Sequence, residues 1–348
     1  MTSIARPARR MLVHAKLFPC AHSCKYCLMG DKKLTRMTSE RFLRLVERLL
    51  EWELEQAGEI YISYVLNYTS DYDRKTLGLV RDLELKFPRS YPTLSGITLG
   101  GLRWRARAEL REWLLERQAF GCRTAHASLA GIGGVHDAWN GRAGNFDLIM
   151  STLEIAGDIG MALGARLFVA RSTLPHLRAL DDMLNQLPKH DGDWRYALPF
   201  FYFGWGVRHE EERIDEKIRD ALPAWMEPLI RESTREGVWR SEREWIDLVR
   251  SGRFAAREPQ LILNVNDGNI EQLENMSCDE IVAEYDARTR AAYAVIPALN
   301  ELCERYGDRD GTKIYPLQRC IEMKWLDLHL AEHPTDFERP LTHLQMGN

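Results

Sequence analysis

The fold of this chain is indicated first by the stretch Phe18-Pro19-Cys20-Ala21-His22-Ser23-Cys24-Lys25-Tyr26-Cys27, which comes after a short apolar run. Its three cysteines are spaced C-x3-C-x2-C, so one loop can bring all three to a single metal centre. Iron–sulfur cubes normally take four thiolates. A loop that supplies only three therefore leaves one iron open to a substrate or cofactor.

A closed zinc site is the alternative interpretation of this loop. Zinc in structural sites has four protein ligands, and either His22 or His14 could complete a Cys3His set. No second C-x2-C pair and no H-x3-H pair lies nearby to build a finger or ribbon. The spacing favours the cluster, and zinc stays open as the competing hypothesis.

With Tyr26 before the last cysteine, the spacing resembles the signature of the radical S-adenosylmethionine (radical SAM) family, C-x3-C-x-aromatic-C. The resemblance implies a [4Fe–4S] cluster on Cys20, Cys24 and Cys27, with S-adenosylmethionine (SAM) on the fourth iron. It also implies that one electron from the cluster, which an external flavodoxin- or ferredoxin-type donor supplies, cleaves SAM to a 5′-deoxyadenosyl radical, and that Tyr26 lies beside the adenine.

Composition and charge limit the classes of partner. The chain has 348 residues, is 45% hydrophobic, and carries a net charge of −4 from 47 basic and 51 acidic side chains. Without a basic tract, a nucleic-acid partner is not expected. No apolar run approaches the roughly 18 residues of a membrane span, and no signal-peptide core is present. Seven cysteines, an odd number, suit a reducing cytoplasm better than a disulfide framework.

The pattern of apolar runs predicts alternating strands and helices. Strands are expected at 11–17, 59–66, 94–99, 123–129, 165–170 and 195–203, and amphipathic helices at 38–57, 105–118 and 146–161. This alternation predicts an α/β fold with a parallel sheet, which the resemblance makes a partial (β/α)6 barrel over residues 1–214. Sites in such folds lie at the carboxyl ends of the strands, where the cysteine loop also falls.

The last third of the chain, residues 215–348, is expected to form an extension. Residues 260–273 predict a β-hairpin around Asp267-Gly268, followed by helices at 277–285 and 288–306. This layout resembles the SPASM or twitch extension of radical SAM enzymes. Its usual auxiliary-cluster cysteines are missing, because Cys278, Cys303 and Cys320 are widely scattered.

Several residues at predicted strand ends are candidates for binding SAM. By resemblance, Ser128 would bind its ribose or carboxylate, and Arg171 is placed to pair with the carboxylate. The family's Gly-Gly-Glu string is absent after the second strand, and Asn67 and Thr69 stand there as acceptors for the ammonium group. Gly204 permits close approach of the backbone to the adenine.

Three functions remain as hypotheses. The first is a radical SAM enzyme acting on a small metabolite or natural product of sugar, nucleoside or amino-acid type. Without an auxiliary cluster to accept an electron, a redox-neutral epimerisation, rearrangement or heteroatom exchange is favoured. The second is modification of a ribosomally made peptide, and the third is a structural or sensory metal protein without catalysis.

Overall fold

The computed structural model describes residues 9–27, 33–56, 58–66, 70–88, 93–202, 204–234, 237–254 and 261–333. The strands are β1 (Arg9–Ala15), β2 (Ile60–Val65), β3 (Gly96–Thr98), β4 (Thr124–Leu129), β5 (Ala162–Val169), β6 (Trp194–Pro199), β7 (Arg240–Ser241), β8 (Leu261–Val265) and β9 (Ile314–Tyr315). The helices of the first part are α1 (Ser39–Glu55), α2 (Arg74–Lys86), α3 (Arg107–Ala119), α4 (Gly134–Asn140), α5 (Asn145–Asp158) and α6 (Leu177–Asn185). The helices of the last part are α7 (Glu216–Asp220), α8 (Glu227–Arg231), α9 (Glu242–Arg250), α10 (Ile270–Asn275), α11 (Cys278–Ala294), α12 (Leu299–Tyr306) and α13 (Gln318–Glu332).

Two parallel sheets form the body of the fold. One has the strand order β2-β1-β8 and the other β3-β4-β5-β6. The predicted α/β class with parallel strands is confirmed, and all six expected strands are present within a few residues of their predicted bounds. Between the sheets, the backbone N–H of Thr98 in β3 donates to Ser70 Oγ, beyond β2, at 2.9 Å.

One face of both sheets is covered by helices. Alternate residues such as Ala125, Leu167 and Leu263 are fully buried in a core shared with α1, α3 and α5. Period-2 alternation of this kind is what a strand requires when its two faces meet different surroundings. The residues between them point to the other face, and on β4 to β6 most of them are only half-buried.

The predicted hairpin at 260–273 is wrong. Leu261–Val265 forms β8, which pairs in parallel with β1 (Val13 opposite Leu263), and residues 270–275 form α10. The run is nearly all buried, as in a strand covered on both faces. Asp267 does not turn a hairpin: its carboxylate accepts hydrogen bonds from Thr35 Oγ1 and the Arg36 N–H at 2.7 and 2.8 Å.

The expected helix at 277–285 is present but longer, and the expected helix at 288–306 is divided. Ser277 caps α11 and forms a capping box with Glu280, as the sequence predicts. The helix then runs to Ala294, and α12 begins at Leu299. Pro297 lies between the two helices. Because proline lacks the backbone N–H that a continuous helix needs, the chain forms two helices here instead of one.

The residues beyond β6 build a second core. It is formed by side chains of α9, α12 and α13, such as Trp245, Leu302 and Trp325. Beside it β7 pairs antiparallel with β9. Division of the chain after residue 214, and the SPASM-like nature of residues 215–348, stay predictions; β8 itself belongs to the sheet of β1. Across the described ranges, no helix has the length and apolar character to span a bilayer.

Candidate active site at the mouth of the barrel

The cysteine loop lies at the carboxyl end of β1 and is held by its backbone. The N–H of Ala21 donates to the Gly101 carbonyl, beyond β3, at 3.2 Å. Further along, the N–H groups of Ser23 and Lys25 donate to Asn140 and Trp139 carbonyls of α4 at 2.8 and 2.9 Å. The loop is therefore fixed between the β3–α3 connection and the end of α4.

Two glycines lie against the loop where a larger residue would not fit. A Cβ atom on Gly101 would lie 2.6 Å from Cys20 Sγ, and one on Gly141 would lie 2.9 Å from the Ser23 Cβ. Both have positive φ angles, +78° and +65°, which strongly favour glycine. The chain thus leaves room at these two points for the loop and for the Cys20 sulfur.

Asn140, the last residue of α4, connects the cysteine loop to that helix. Its side-chain oxygen accepts hydrogen bonds from Tyr26 Oη at 2.7 Å and from Cys24 Sγ at 3.3 Å. Its amide nitrogen donates to the His136 carbonyl at 2.9 Å. Asn140 is 2% exposed, so replacement would leave several buried polar groups unsatisfied.

His136 supports Asn140 from one turn earlier in α4. Its Nδ1 accepts a hydrogen bond from the Ala130 N–H at 3.1 Å. Its Nε2 lies 2.9 Å from the side-chain nitrogen of Asn140 and 3.1 Å from that of Asn145. Burial lowers the pKa of His136 to about 4, and the ring is neutral at pH 7.

Tyr26 is held in an aromatic cluster below the loop. Its ring stacks on Phe168 at 4.4 Å and lies 6.1 Å from Trp139, while Trp139 meets Phe200 edge-on. Burial, and then the nearby Cys24 sulfur, raise the pKa of Tyr26 well above its ordinary value. The phenol therefore stays protonated and donates to Asn140. Whether it also lies beside an adenine stays a prediction.

The donor set on the loop suits an iron–sulfur cluster chemically. Cys20, Cys24 and Cys27 are half-buried and form no disulfide, so their sulfurs combine partial shielding with access, and thiolates are the usual cluster ligands. Within the described part of the chain, no three His, Cys, Asp or Glu side chains are gathered closely enough to hold a metal ion. The ligand role of these cysteines stays a prediction.

The histidines of the zinc alternative have other contacts. His22 is 3% exposed, and its Nδ1 accepts a hydrogen bond from the Gly101 N–H at 3.1 Å. His14 Nδ1 lies 3.2 Å from Asn264 Oδ1 on β8.

The remaining predicted SAM residues are spread around the same end. Ser128 is the last but one residue of β4, opposite Arg166 of β5. Arg171 lies just beyond β5, and its guanidinium bonds Asp215 at 2.5 Å and the Arg213 carbonyl at 3.2 Å. It is therefore engaged with the segment before α7. Gly204 has a φ of +53° and begins a short 3-10 turn. Asn67 and Thr69 lie outside the described residues.

Sequence reasoning missed a polar surface on the sheet of β3 to β6, which we call the open face. It comprises the half-buried side chains that alternate with the core positions: Thr98, His126, Ser128, Arg166, Trp194 and Tyr196. The signal available in β5 was Arg166, a charged residue within the otherwise apolar run 165–169. Asn140 and His136 were also missed, because their contacts are set by tertiary packing.

The other four cysteines lie apart from the loop. Cys122 is buried just before β4, the end of the strand away from the mouth. Cys278 donates to the Arg48 carbonyl of α1 at 3.6 Å. Cys303 and Cys320 are buried in the second core. Burial raises the pKa of Cys122 and of Cys320 to about 11, as expected for inert thiols.

Among known proteins, this chain is similar to several solved structures. No protein-family model matches the chain, and no curated protein does. The structure of anSMEcpe with bound AdoMet and Cp18Cys peptide is 12% identical with a TM-score of 0.48, covering 94% of this chain and 98% of that one.

Two further structures are less similar. Coproporphyrinogen III oxidase (HemN) from Escherichia coli, described as a radical SAM enzyme, is 10% identical with a TM-score of 0.41, covering 95% and 82%. SuiB from Streptococcus suis is 10% identical with a TM-score of 0.38, covering 77% of this chain and 51% of SuiB, about half its length.

Proposed function

We propose that this protein is a radical SAM enzyme with one [4Fe–4S] cluster bound by Cys20, Cys24 and Cys27. The observation that carries the proposal is the C-x3-C-x2-C loop at the carboxyl end of β1, fixed by backbone hydrogen bonds to α4 and to the β3–α3 connection. When bound, the cluster and SAM would supply a 5′-deoxyadenosyl radical that removes hydrogen from the substrate.

The chain's own residues would position and shield this chemistry. Asn140 would hold Tyr26 through the hydrogen bond that its side-chain oxygen accepts from the phenol. The aromatic rings of Tyr26, Trp139 and Phe168 pack together beside the loop and would shield that side of it from water. Such a dry, fixed environment protects a reactive intermediate from solvent. Ser128, Arg171 and Gly204 remain the candidates for contacts with SAM, together with Tyr26 in the loop and with Asn67 and Thr69, which lie outside the described residues.

The reaction class we propose is redox-neutral chemistry on a small metabolite or natural product of sugar, nucleoside or amino-acid type. It is supported by the separation of Cys278, on α11, from Cys303 and Cys320, in the second core. An external flavodoxin- or ferredoxin-type donor would supply the electron. An oxygen-sensitive cluster and seven cysteines that form no disulfide suit the cytoplasm.

The test is anaerobic reconstitution followed by assay for 5′-deoxyadenosine with SAM and dithionite. Wild type should bind iron and acid-labile sulfide and form 5′-deoxyadenosine. Alanine at Cys20, Cys24 or Cys27 should abolish the product and remove most of the iron. The matched control is Cys278→Ala, a half-buried cysteine outside the loop, which should behave as wild type. Zinc without sulfide in the wild-type protein would overturn the proposal in favour of a structural metal protein.

The peptide alternative is separated from a small-molecule substrate by the same assay. Substrates deuterated at chosen carbons would be added singly, and the label sought in 5′-deoxyadenosine. Transfer from a small molecule supports the proposal. Transfer only from a precursor peptide would replace it with peptide modification.

A further inference from the structure

The open face carries cationic and neutral polar groups but no acid. In the described strands β3 to β6, none of the side chains on this face is a carboxylate. The corresponding positions on β1, β2 and β8 are likewise free of acids: Leu12, His14, Ser63, Val65, Ile262 and Asn264. A binding surface of this composition favours an anionic ligand.

Arg166 provides the positive charge of the open face. Its Nε donates to Tyr196 Oη, and its guanidinium lies 5.3 Å from the Trp194 ring and 5.8 Å from the Tyr196 ring. No carboxylate among the described residues forms an ion pair with it. The two Nη groups of a guanidinium form a fork that matches the two oxygens of a carboxylate or phosphate.

Neutral hydrogen-bonding groups surround this guanidinium. Ser128 lies opposite Arg166 on β4, and His126 lies one step lower on the same strand. The Nε2 of His126 is 2.9 Å from Thr98 Oγ1. Burial, and then the charge of Arg166, lower the pKa of His126 to about 4. Around neutral pH the surface therefore presents one fixed cation beside hydroxyl and imidazole groups.

We propose that Arg166, held by the Tyr196 hydroxyl and the Trp194 ring, forms a subsite for an oxyanion of the substrate, a carboxylate or a phosphate ester. This inference rests on the proposed function, whose substrate class it narrows to an acidic small molecule. Phe168, which stacks on Tyr26, is two residues further along β5, about 7 Å higher at the usual rise per residue. The oxyanion would thus be held two residues below Phe168, which lies near the carboxyl end of β5. The rest of the substrate would extend from the oxyanion toward the cysteine loop.

The experiment measures anion binding without turnover. Wild-type full-length protein is treated with phenylglyoxal in the presence of phosphate, acetate, SAM, or chloride at equal ionic strength, and the modified arginines are quantified by mass spectrometry. Phosphate or acetate should slow modification of Arg166 about threefold at twice its Kd, the factor 1 + [L]/Kd. Arg178 on α6, a largely exposed arginine, should not be protected and serves as the internal reference.

The arms of the experiment distinguish the possible ligands. Protection by phosphate alone indicates a phosphate ester, and protection by acetate indicates a carboxylate. No protection by either anion, or equal protection of Arg178, would overturn the proposal. Protection by SAM alone would also overturn it, because Arg166 would then bind the cofactor.

Variants give a second readout by thermal unfolding. The anion-dependent rise in Tm seen in wild type should vanish in Arg166→Gln, persist in part in Arg166→Lys, and be unchanged in Arg178→Gln. If Arg166→Gln does not fold, modification of the wild-type protein still decides. Neither measurement needs a cluster or a reductant. A negative result here leaves the radical chemistry standing, and failure to form 5′-deoxyadenosine leaves anion binding standing.

Discussion

Two arginines, Arg213 between β6 and α7 and Arg166 on the open face, have similar aromatic neighbours but different hydrogen-bonding partners. Each donates to a tyrosine hydroxyl and lies over aromatic rings, Arg213 at 4.0 Å from the Tyr315 ring. Arg213 is 0% exposed and also bonds Glu210 at 2.7 Å and the Ile314 carbonyl at 2.9 Å. Arg166 is half-buried and, among the described residues, pairs with no acid.

The difference separates a structural role from a binding role. The guanidinium of Arg213 has partners within the protein on both sides, so it joins the segment before α7 to β9. The guanidinium of Arg166 has aromatic support and one hydroxyl, which fix its direction but leave its Nη groups available. A buried charge is tolerated when it is paired and hydrogen-bonded. An incompletely paired one facing a polar surface is suited to a ligand.

The largest effect should come from removing the buried arginine. Arg213→Met should lower the free energy of unfolding by about 3 kcal/mol, because the Ile314 carbonyl and the Tyr315 hydroxyl lose a buried charged donor. Urea unfolding measured by circular dichroism checks this value. Arg178→Met, at an exposed i,i+4 pair, is the control and should cost less than about 0.5 kcal/mol. Equal losses in both variants would contradict the distinction.

A smaller loss of unfolding free energy is expected from replacing Asn140, whose side-chain amide bonds the cysteine loop. Asn140→Ala should lower the free energy of unfolding by about 2 kcal/mol, because Tyr26 Oη loses its acceptor in a buried environment. The reconstituted variant should also bind less iron than wild type. Asn185→Ala, which removes an exposed amide bonded to Asp181, is the matched control. Unchanged iron content would show that Asn140 does not order the loop.

The next effect is a dependence of stability on pH. The pKa of buried His136 is about 4 in the folded protein, below its ordinary value of 6.5. Below pH 6.5 the unfolded chain binds a proton that the folded chain does not, so His136 lowers stability as the pH falls toward 4. The contribution is about 1.4 kcal/mol per pH unit. His136→Gln should reduce the slope of unfolding free energy against pH by this amount, and an unchanged slope would be inconsistent with a buried neutral ring.

The smallest effect sharpens the comparison most. Arg166→Gln should change the free energy of unfolding by about 1 kcal/mol or less, since it loses the contacts with the Trp194 and Tyr196 rings but breaks no ion pair among the described residues and leaves a side chain able to donate to Tyr196. Urea unfolding beside Arg213→Met tests both arginines under the same conditions. A loss as large as that of Arg213→Met would assign Arg166 a structural role.

The elements nearest the amino terminus could be predicted because local and tertiary requirements agree there. The helix expected from Thr38 begins at Ser39 with Thr38 as its cap, and its apolar stripe is buried. The hairpin could not be excluded locally, because Asp267-Gly268 is a good turn signal. The partner of Leu261–Val265 is β1, some 250 residues earlier, and only tertiary pairing reveals it.

The candidate site was predictable to a similar, partial extent. The cysteine loop was identified from spacing, and topology places it at the end of the strands. Arg171 was expected at the cofactor because it follows a strand; its guanidinium pairs with Asp215, and its role at the cofactor stays a prediction. Asn140 gave no signal in the sequence, since its importance comes from contacts with residues more than a hundred positions away.

The open iron is the central claim, and electron paramagnetic resonance of the reduced, reconstituted protein tests it most directly. The account predicts a [4Fe–4S]+ signal in wild type whose g-values change when SAM is added, and no such signal in Cys24→Ala. A cluster signal that SAM leaves unchanged would contradict an open coordination site. A protein that binds zinc and shows no signal would contradict the cluster itself.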